Sequence, residues 1–120
     1  MKRLKTRADF LRAARGVRRV MPSLTLEACP TPGEGAGATA ARVGFTATRK
    51  LGGAVVRNRA KRRLRAAAAA VLPLSGRPGN DYVVVARPGT LTRPFSSLRE
   101  DLAAAVAAAH LKLDSTKGQP

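Results

Sequence analysis

Between Arg57 and Arg65 the chain reads Arg-Asn-Arg-Ala-Lys-Arg-Arg-Leu-Arg, five arginines and one lysine in nine residues. No acidic residue occurs from Arg42 to Arg65. The run is nonetheless patterned. Ala60, Leu64, Ala67, Ala68 and Val71 recur at steps of three and four, which makes one apolar stripe on an α-helix. On the same wheel Arg57, Lys61 and Arg65 form a cationic ridge, with Asn58 and Arg62 beside it. Such a helix must dock by one face and leave the other charged. It is suited to hold a polyanion at a fixed position, and phosphate backbone is the first candidate.

The rest of the composition points the same way. The 120 residues make one domain, and the net charge is +16. Apolar residues reach 44 %, but much of that is alanine, with no Trp, one Tyr and three Phe. The expected core is thin. A small domain so charged repels itself unless a polyanion neutralises it. Nucleic acid is the first reading and an anionic membrane surface the second. No run approaches the roughly 20 apolar residues needed to span a bilayer. No signal-type apolar segment follows Met1-Lys2-Arg3 before the charges resume at Arg7. The expectation is a cytoplasmic protein with no membrane partner. Cys29 stands alone, which excludes a disulfide framework and a cysteine-based metal site.

Along the chain, residues 1–5 read as a mobile basic lead-in, 6–113 as a single nucleic-acid-binding domain and 114–120 as a disordered tail. Thr6-Arg7-Ala8-Asp9 has the form of a helix start, with Thr6 able to cap and an acid in the first turn. A helix is expected from about Arg7 to Arg15, with Leu11 and Ala14 as core candidates. Val20 to Cys29 reads as a strand, with Leu24, Leu26 and Ala28 on one side. Residues 30–41 are Pro/Gly/Ala-rich and read as a flexible loop. Arg42 to Thr48 is a second strand, broken at Leu51-Gly52-Gly53, where a tight turn with positive φ is expected. The basic helix follows to about Leu72, then a loop from Pro73 to Asn80.

Asp81 to Arg87 is a nearly continuous apolar run, the mark of a central strand buried on both faces. Phe95, Leu98, Leu102, Ala105, Val106 and Ala109 place a last helix over Pro94 to Leu111. The sum is an α+β fold in the order α-β-β-α-β-α, a small sheet with helices against it.

Two segments, Arg42 to Arg65 and Asp81 to Arg87, resemble one family, and Asp9-Phe10 also matches it. Arg42 to Lys50, Leu51 to Val56 and Arg57-Asn58-Arg59 with Lys61, Arg62 and Arg65 are similar to the signature of the bacterial ribonuclease P protein subunit. Asp81 to Arg87 resembles that family's third core strand, and Asp9-Phe10 its first helix. The resemblance implies an α/β sandwich with an uncommon left-handed β-α-β crossover. Sequence physics alone would expect the right-handed form. It also implies an accessory subunit of an endoribonuclease, whose partners are a catalytic RNA and the 5′ leader of precursor tRNA. In the family the RNA performs the hydrolysis with Mg²⁺, held mainly by RNA and substrate.

The resemblance assigns the RNA face to Arg57, Asn58, Arg59, Lys61, Arg62 and Arg65. Arginine suits the task because its planar fork binds phosphate oxygens bidentately. Asn58 can orient those side chains or cap the helix. The leader cleft is expected at Phe10, Phe45, Thr46, Thr48, Arg49 and Lys50. From the residues alone, Phe10 and Phe45 also fit a core. Relatives often carry a second aromatic one turn after the first, where this chain has Ala13 and Ala14, and Glu27 falls on the first strand. Leader binding here is therefore expected to lean more on charge.

Three rival readings remain at this point. A structural RNA-binding protein of the ribosome would share the charge. A nuclease with its own active site would need what Asp9, Asp81, Glu100, Asp101 and the single His110 do not supply, a spaced carboxylate or acid–base set. A DNA-reading helix would need base-specific residues, and this one is too uniformly cationic. No DNA partner is expected.

Overall fold

The computed structural model describes residues 2–33 and 40–117. Lys2–Arg3 (β1) lead into Arg7–Ala14 (α1), then Val17–Val20 (β2), Leu24–Pro30 (β3) and Arg42–Thr46 (β4). A 3₁₀ turn at Arg49–Leu51 precedes Ala54–Ser75 (α2), followed by Asn80–Ala86 (β5), Pro88–Thr92 (α3) and Phe95–Lys117 (α4). The sheet has five strands in the order β1-β4-β5-β3-β2. β4 runs parallel to β1 and β5, and β3 runs antiparallel to β5 and β2.

The expected α+β class holds, with more elements than expected. Met21 to Ser23 turn the chain, so the single early strand is a hairpin of β2 and β3. Residues 1–5 are no mobile lead-in where they are described. Lys2–Arg3 pair with Arg42 and Val43, and Leu4 is buried while its N–H donates to Val43 O at 2.9 Å. The helix α3 follows Pro88, a residue suited to a first helical turn. α4 runs on to Lys117, which corrects the expected tail over 114–117, residues 118–120 lying outside the described residues. Arg77 pairs with Asp114 at 2.9 Å on that extension. α2 likewise continues through Pro73 to Ser75, closed by Gly76 N–H on Leu72 O at 2.7 Å. Of the loop expected over 30–41, Pro30 belongs to β3 and residues 34–39 lie outside the described residues.

Alternation along the strands divides the core in two. On one face Leu24, Leu26, Ala28, Val43, Tyr82 and Val84 meet α2 and α4. The α2 stripe of Ala60, Leu64, Ala67, Ala68 and Val71 packs there, with Leu98, Leu102, Ala105, Val106 and Ala109 of α4. On the other face Leu4, Ala13, Cys29 and Val83 are buried under α1, with Phe10 and Val85 against them. Within α1 it is Ala13 that is buried. Ala14 and Leu11, the expected core candidates, are exposed, because so short a helix turns only one narrow edge to the sheet. β5 lies under both layers, as its sequence requires.

The crossover β4-α2-β5 joins neighbouring parallel strands, and its hand follows from L-chirality. Val43 turns its side chain to α2 and its carbonyl to Leu4, on the β1 side. On an upward strand, an L-residue pointing at the viewer turns its N–H and C=O to the viewer's right. β1 is thus right of β4 and β5 is left, with α2 in front. The connection is left-handed, against the usual preference.

Candidate nucleic-acid interface

α2 begins beyond a glycine turn. Gly52 has φ +150°, a conformation that favours glycine, and Gly53 is the N-cap residue with ordinary φ −72°. Asn58 is therefore one turn inside the helix and exposed, not its cap. Burial of the alanine and leucine stripe fixes the rotation of the helix about its axis. Arg57 and Lys61 come out half-buried on one flank, with Arg59, Arg62 and Arg65 exposed. No side-chain hydrogen bond or ion pair forms at Arg57, Arg59, Lys61, Arg62 or Arg65 among the described residues. Arg57 Nε is enclosed and has no partner. The 3₁₀ turn just before α2 adds exposed Arg49 and Lys50, equally unpaired, with exposed Thr48 preceding them.

Arg63, in the same run, is used differently. It points to the α3 side and donates Nη1 to Leu91 O at 3.3 Å and Nη2 to Arg93 O. It closes the end of α3. The Arg93 guanidinium is also engaged: its Nε lies 3.0 Å from Asp101, which also accepts Ser23 Oγ at 2.6 Å.

The leader residues divide between the two faces of the sheet. Phe10 lies half-buried on the α1 face, its ring directly over Gly44. A Cβ at Gly44 would come within 2.6 Å of that ring, so only glycine lets Phe10 seat there. Thr46 and Val85, register neighbours and both half-buried, continue this face toward the 3₁₀ turn. Phe45 points the opposite way, toward α2, with Arg3 over its ring at 5.1 Å. Strand alternation forbids Phe45 and Phe10 from sharing a cleft. Phe45 thus cannot supply the second ring beside Phe10. Glu27 stands across from Arg18 on β2, and burial pushes its carboxyl above the ordinary range while Arg18 pulls it down.

The family model of ribonuclease P matches residues 1–110. This chain belongs to the ribonuclease P protein family. It is 51 % identical over 105 residues to the ribonuclease P protein component of Paramagnetospirillum magneticum, covering 87 % of this chain and 79 % of that one. With the corresponding protein of Ruegeria pomeroyi it shares 50 % over 109 residues, covering 89 % and 85 %. The solved ribonuclease P protein of Thermotoga maritima superposes with a TM-score of 0.72 at 25 % identity, covering 90 % of this chain and 97 % of that one. That of Staphylococcus aureus superposes with a TM-score of 0.70 at 25 % identity, covering 91 % and 95 %. The chain is accordingly a protein component of a tRNA-processing ribonucleoprotein endonuclease.

In this ribonuclease P protein the carboxylates are committed elsewhere. Asp81, fully buried, accepts Arg42 Nε at 2.8 Å, Arg42 Nη2 at 2.7 Å and Thr31 Oγ1 at 2.7 Å. Asp9 accepts Thr6 Oγ1 at 2.8 Å and Arg12 Nη1 at 2.9 Å, and the two bonds hold its carboxyl below the ordinary range. Arg42 also reaches Asp9 at 3.4 Å, which ties the start of α1 to β4 and β5. Two acids and two guanidiniums thus neutralise each other. No group of three His, Cys, Asp or Glu among the described residues could hold a metal. Among the described residues no carboxylate cluster fits a Mg²⁺ site. Burial pushes the Cys29 thiol up to about 11, so it carries no thiolate at neutral pH. No described helix is long and apolar enough to cross a membrane.

His110 is structural in the same sense. Its Nε2 is 2.6 Å from Tyr82 Oη, which accepts Arg77 N–H at 3.0 Å. Burial first, and then the Arg77 charge, hold the imidazole below its ordinary value. The proton is bound more readily by the unfolded chain, so stability is expected to fall as pH drops below about 6.5. Urea midpoints between about pH 7.5 and 5.5 check this: His110→Gln should flatten the slope.

Proposed function

We propose that this protein binds the catalytic RNA of ribonuclease P along α2 and holds the 5′ leader of precursor tRNA on the α1 face. The observation that carries the reading is the contrast in charge pairing. Arg12, Arg42, Arg77 and Arg93 are matched to aspartates, whereas Arg57, Arg59, Lys61, Arg62 and Arg65 along α2 have no anion. With 23 cations to seven acids most cations stay unpaired, but on α2 they form one row spaced by helical turns, and such a row fits a phosphate backbone. Asn58, exposed among them, donates and accepts toward the same RNA.

Phe10 offers a half-open ring to a leader base, while Thr46, Thr48, Arg49 and Lys50 reach its sugars and phosphates. Hydrolysis of the leader bond, with its Mg²⁺, belongs to the RNA. The chain's own part is to position that RNA and the leader.

The test is 5′-end processing of a precursor tRNA at low Mg²⁺ with the RNA alone, the protein alone and both. Cleavage dependent on both supports the reading. Cleavage by the protein alone, or no stimulation, sinks it. Within the reconstituted complex, Phe10→Leu should weaken precursor tRNA by about 5- to 100-fold and leave mature tRNA unchanged. An equal loss for both would make Phe10 a packing residue only.

A further inference from the structure

We infer that a second cleft, on the α2 side of the sheet, receives one unpaired nucleotide of the catalytic RNA; this rests on the RNA-binding reading above. The cleft has a volume of about 280 Å³ and is lined by Arg3, Val43, Phe45, Arg65, Ala68, Ala69 and Pro73. Its floor is apolar, and a half-buried aromatic ring lies in it under the Arg3 guanidinium. Two cations border it and no acid does. Arg65 has no partner among the described residues, and Arg3 has only the ring.

A π-face, a stackable guanidinium and a free phosphate ligand are what a single nucleotide needs. The base stacks against Phe45 and Arg3, and its phosphate meets Arg65.

Position selects the catalytic RNA as the source. Arg57, Lys61 and Arg65 succeed one another at four-residue steps along one flank of α2, and the last of them is a wall of the cleft. RNA that follows the ridge is led into it. Phe10 lies on the other face of the sheet, so a leader stacked there is not at Phe45. The pairing of β1 with β4 is what brings Arg3 to the site.

The experiment measures binding of bacterial ribonuclease P RNA to the full chain across a salt series, for Phe45→Leu, Ala69→Leu and Arg59→Glu. Processing of precursor tRNA and binding of mature tRNA are followed in the reconstituted complexes. Ala69 is exposed on α2, so leucine there fills the cleft from its rim and leaves the core intact. Both neutral variants are expected to bind the RNA about 5- to 100-fold more weakly. Their salt slope should be that of wild type, because no charge changes. Discrimination between precursor and mature tRNA should also be unchanged.

Unaltered RNA affinity in both variants overturns the cleft, as does a loss in Phe45→Leu alone, which packing explains. A loss confined to precursor tRNA returns Phe45 to the leader. Arg59→Glu separates the two readings. If it alone loses RNA affinity, the α2 reading stands and the cleft falls; if it binds like wild type, the α2 reading falls as well.

Discussion

Arg59→Glu combined with Arg62→Glu is expected to lower affinity for the catalytic RNA by about 100-fold or more at moderate salt. Both side chains are exposed and make no hydrogen bond or ion pair with a described residue, so the fold loses no polar contact. The loss arises twice over, from two missing phosphate contacts and from two new repulsive charges. Each missing contact should also lower the slope of log affinity against log salt by about 0.7 to 0.9. Filter binding across a salt series reads both quantities. An unchanged slope would mean that these residues meet no phosphate. Arg63→Glu makes the contrast: its guanidinium serves the carbonyls of Leu91 and Arg93, so that change should cost stability.

The largest effect on stability is expected at Arg42. Arg42→Ala would leave the fully buried Asp81 carboxylate with Thr31 and a distant Arg12, 3.7 Å away. Removing one member of a buried ion pair costs about 3–5 kcal/mol. For a domain of this size that is a fall in Tm of about 10 °C or more. Replacing both partners, Arg42→Met with Asp81→Leu, should recover a large part of it, because the uncompensated charge is then gone. Urea unfolding of the two proteins decides the matter. If the double variant is no better than the single, Arg42 acts through packing of its stem on β4 and not through charge.

Much of the fold was legible because its elements carry strong periodic signals. The α2 and α4 stripes have helical spacing over several turns, and every stripe residue named for them except Phe95 is buried. Phe95 is exposed and has Arg99 over its ring instead. The Thr6 cap was equally plain, its hydroxyl accepting Asp9 N–H. β1 was not legible, since two basic residues carry no period, and their place comes only from the free edge of β4. Arg42 and Asp81 lie 39 residues apart, and nothing local announces that they meet. The cationic row on α2 could be read from its spacing, but which cations stay unpaired could not. Arg63 and Arg62 are adjacent and chemically alike, and only the tertiary position of α3 separates them. The division of Phe10 from Phe45 follows from alternation, once the register of β4 is known.

That register has a mechanical meaning. Gly44 and Thr46 look to one side of β4 while Val43 and Phe45 look to the other. The strand is a two-sided strip whose successive residues serve different surfaces, with no hinge between them. Substrate and catalytic RNA, if each is gripped as proposed, are gauged against each other across the thickness of a single pleat. A slip of one residue would exchange the two surfaces. The bidentate Arg42–Asp81 clamp at its foot, joining β4 to β5, opposes such a slip.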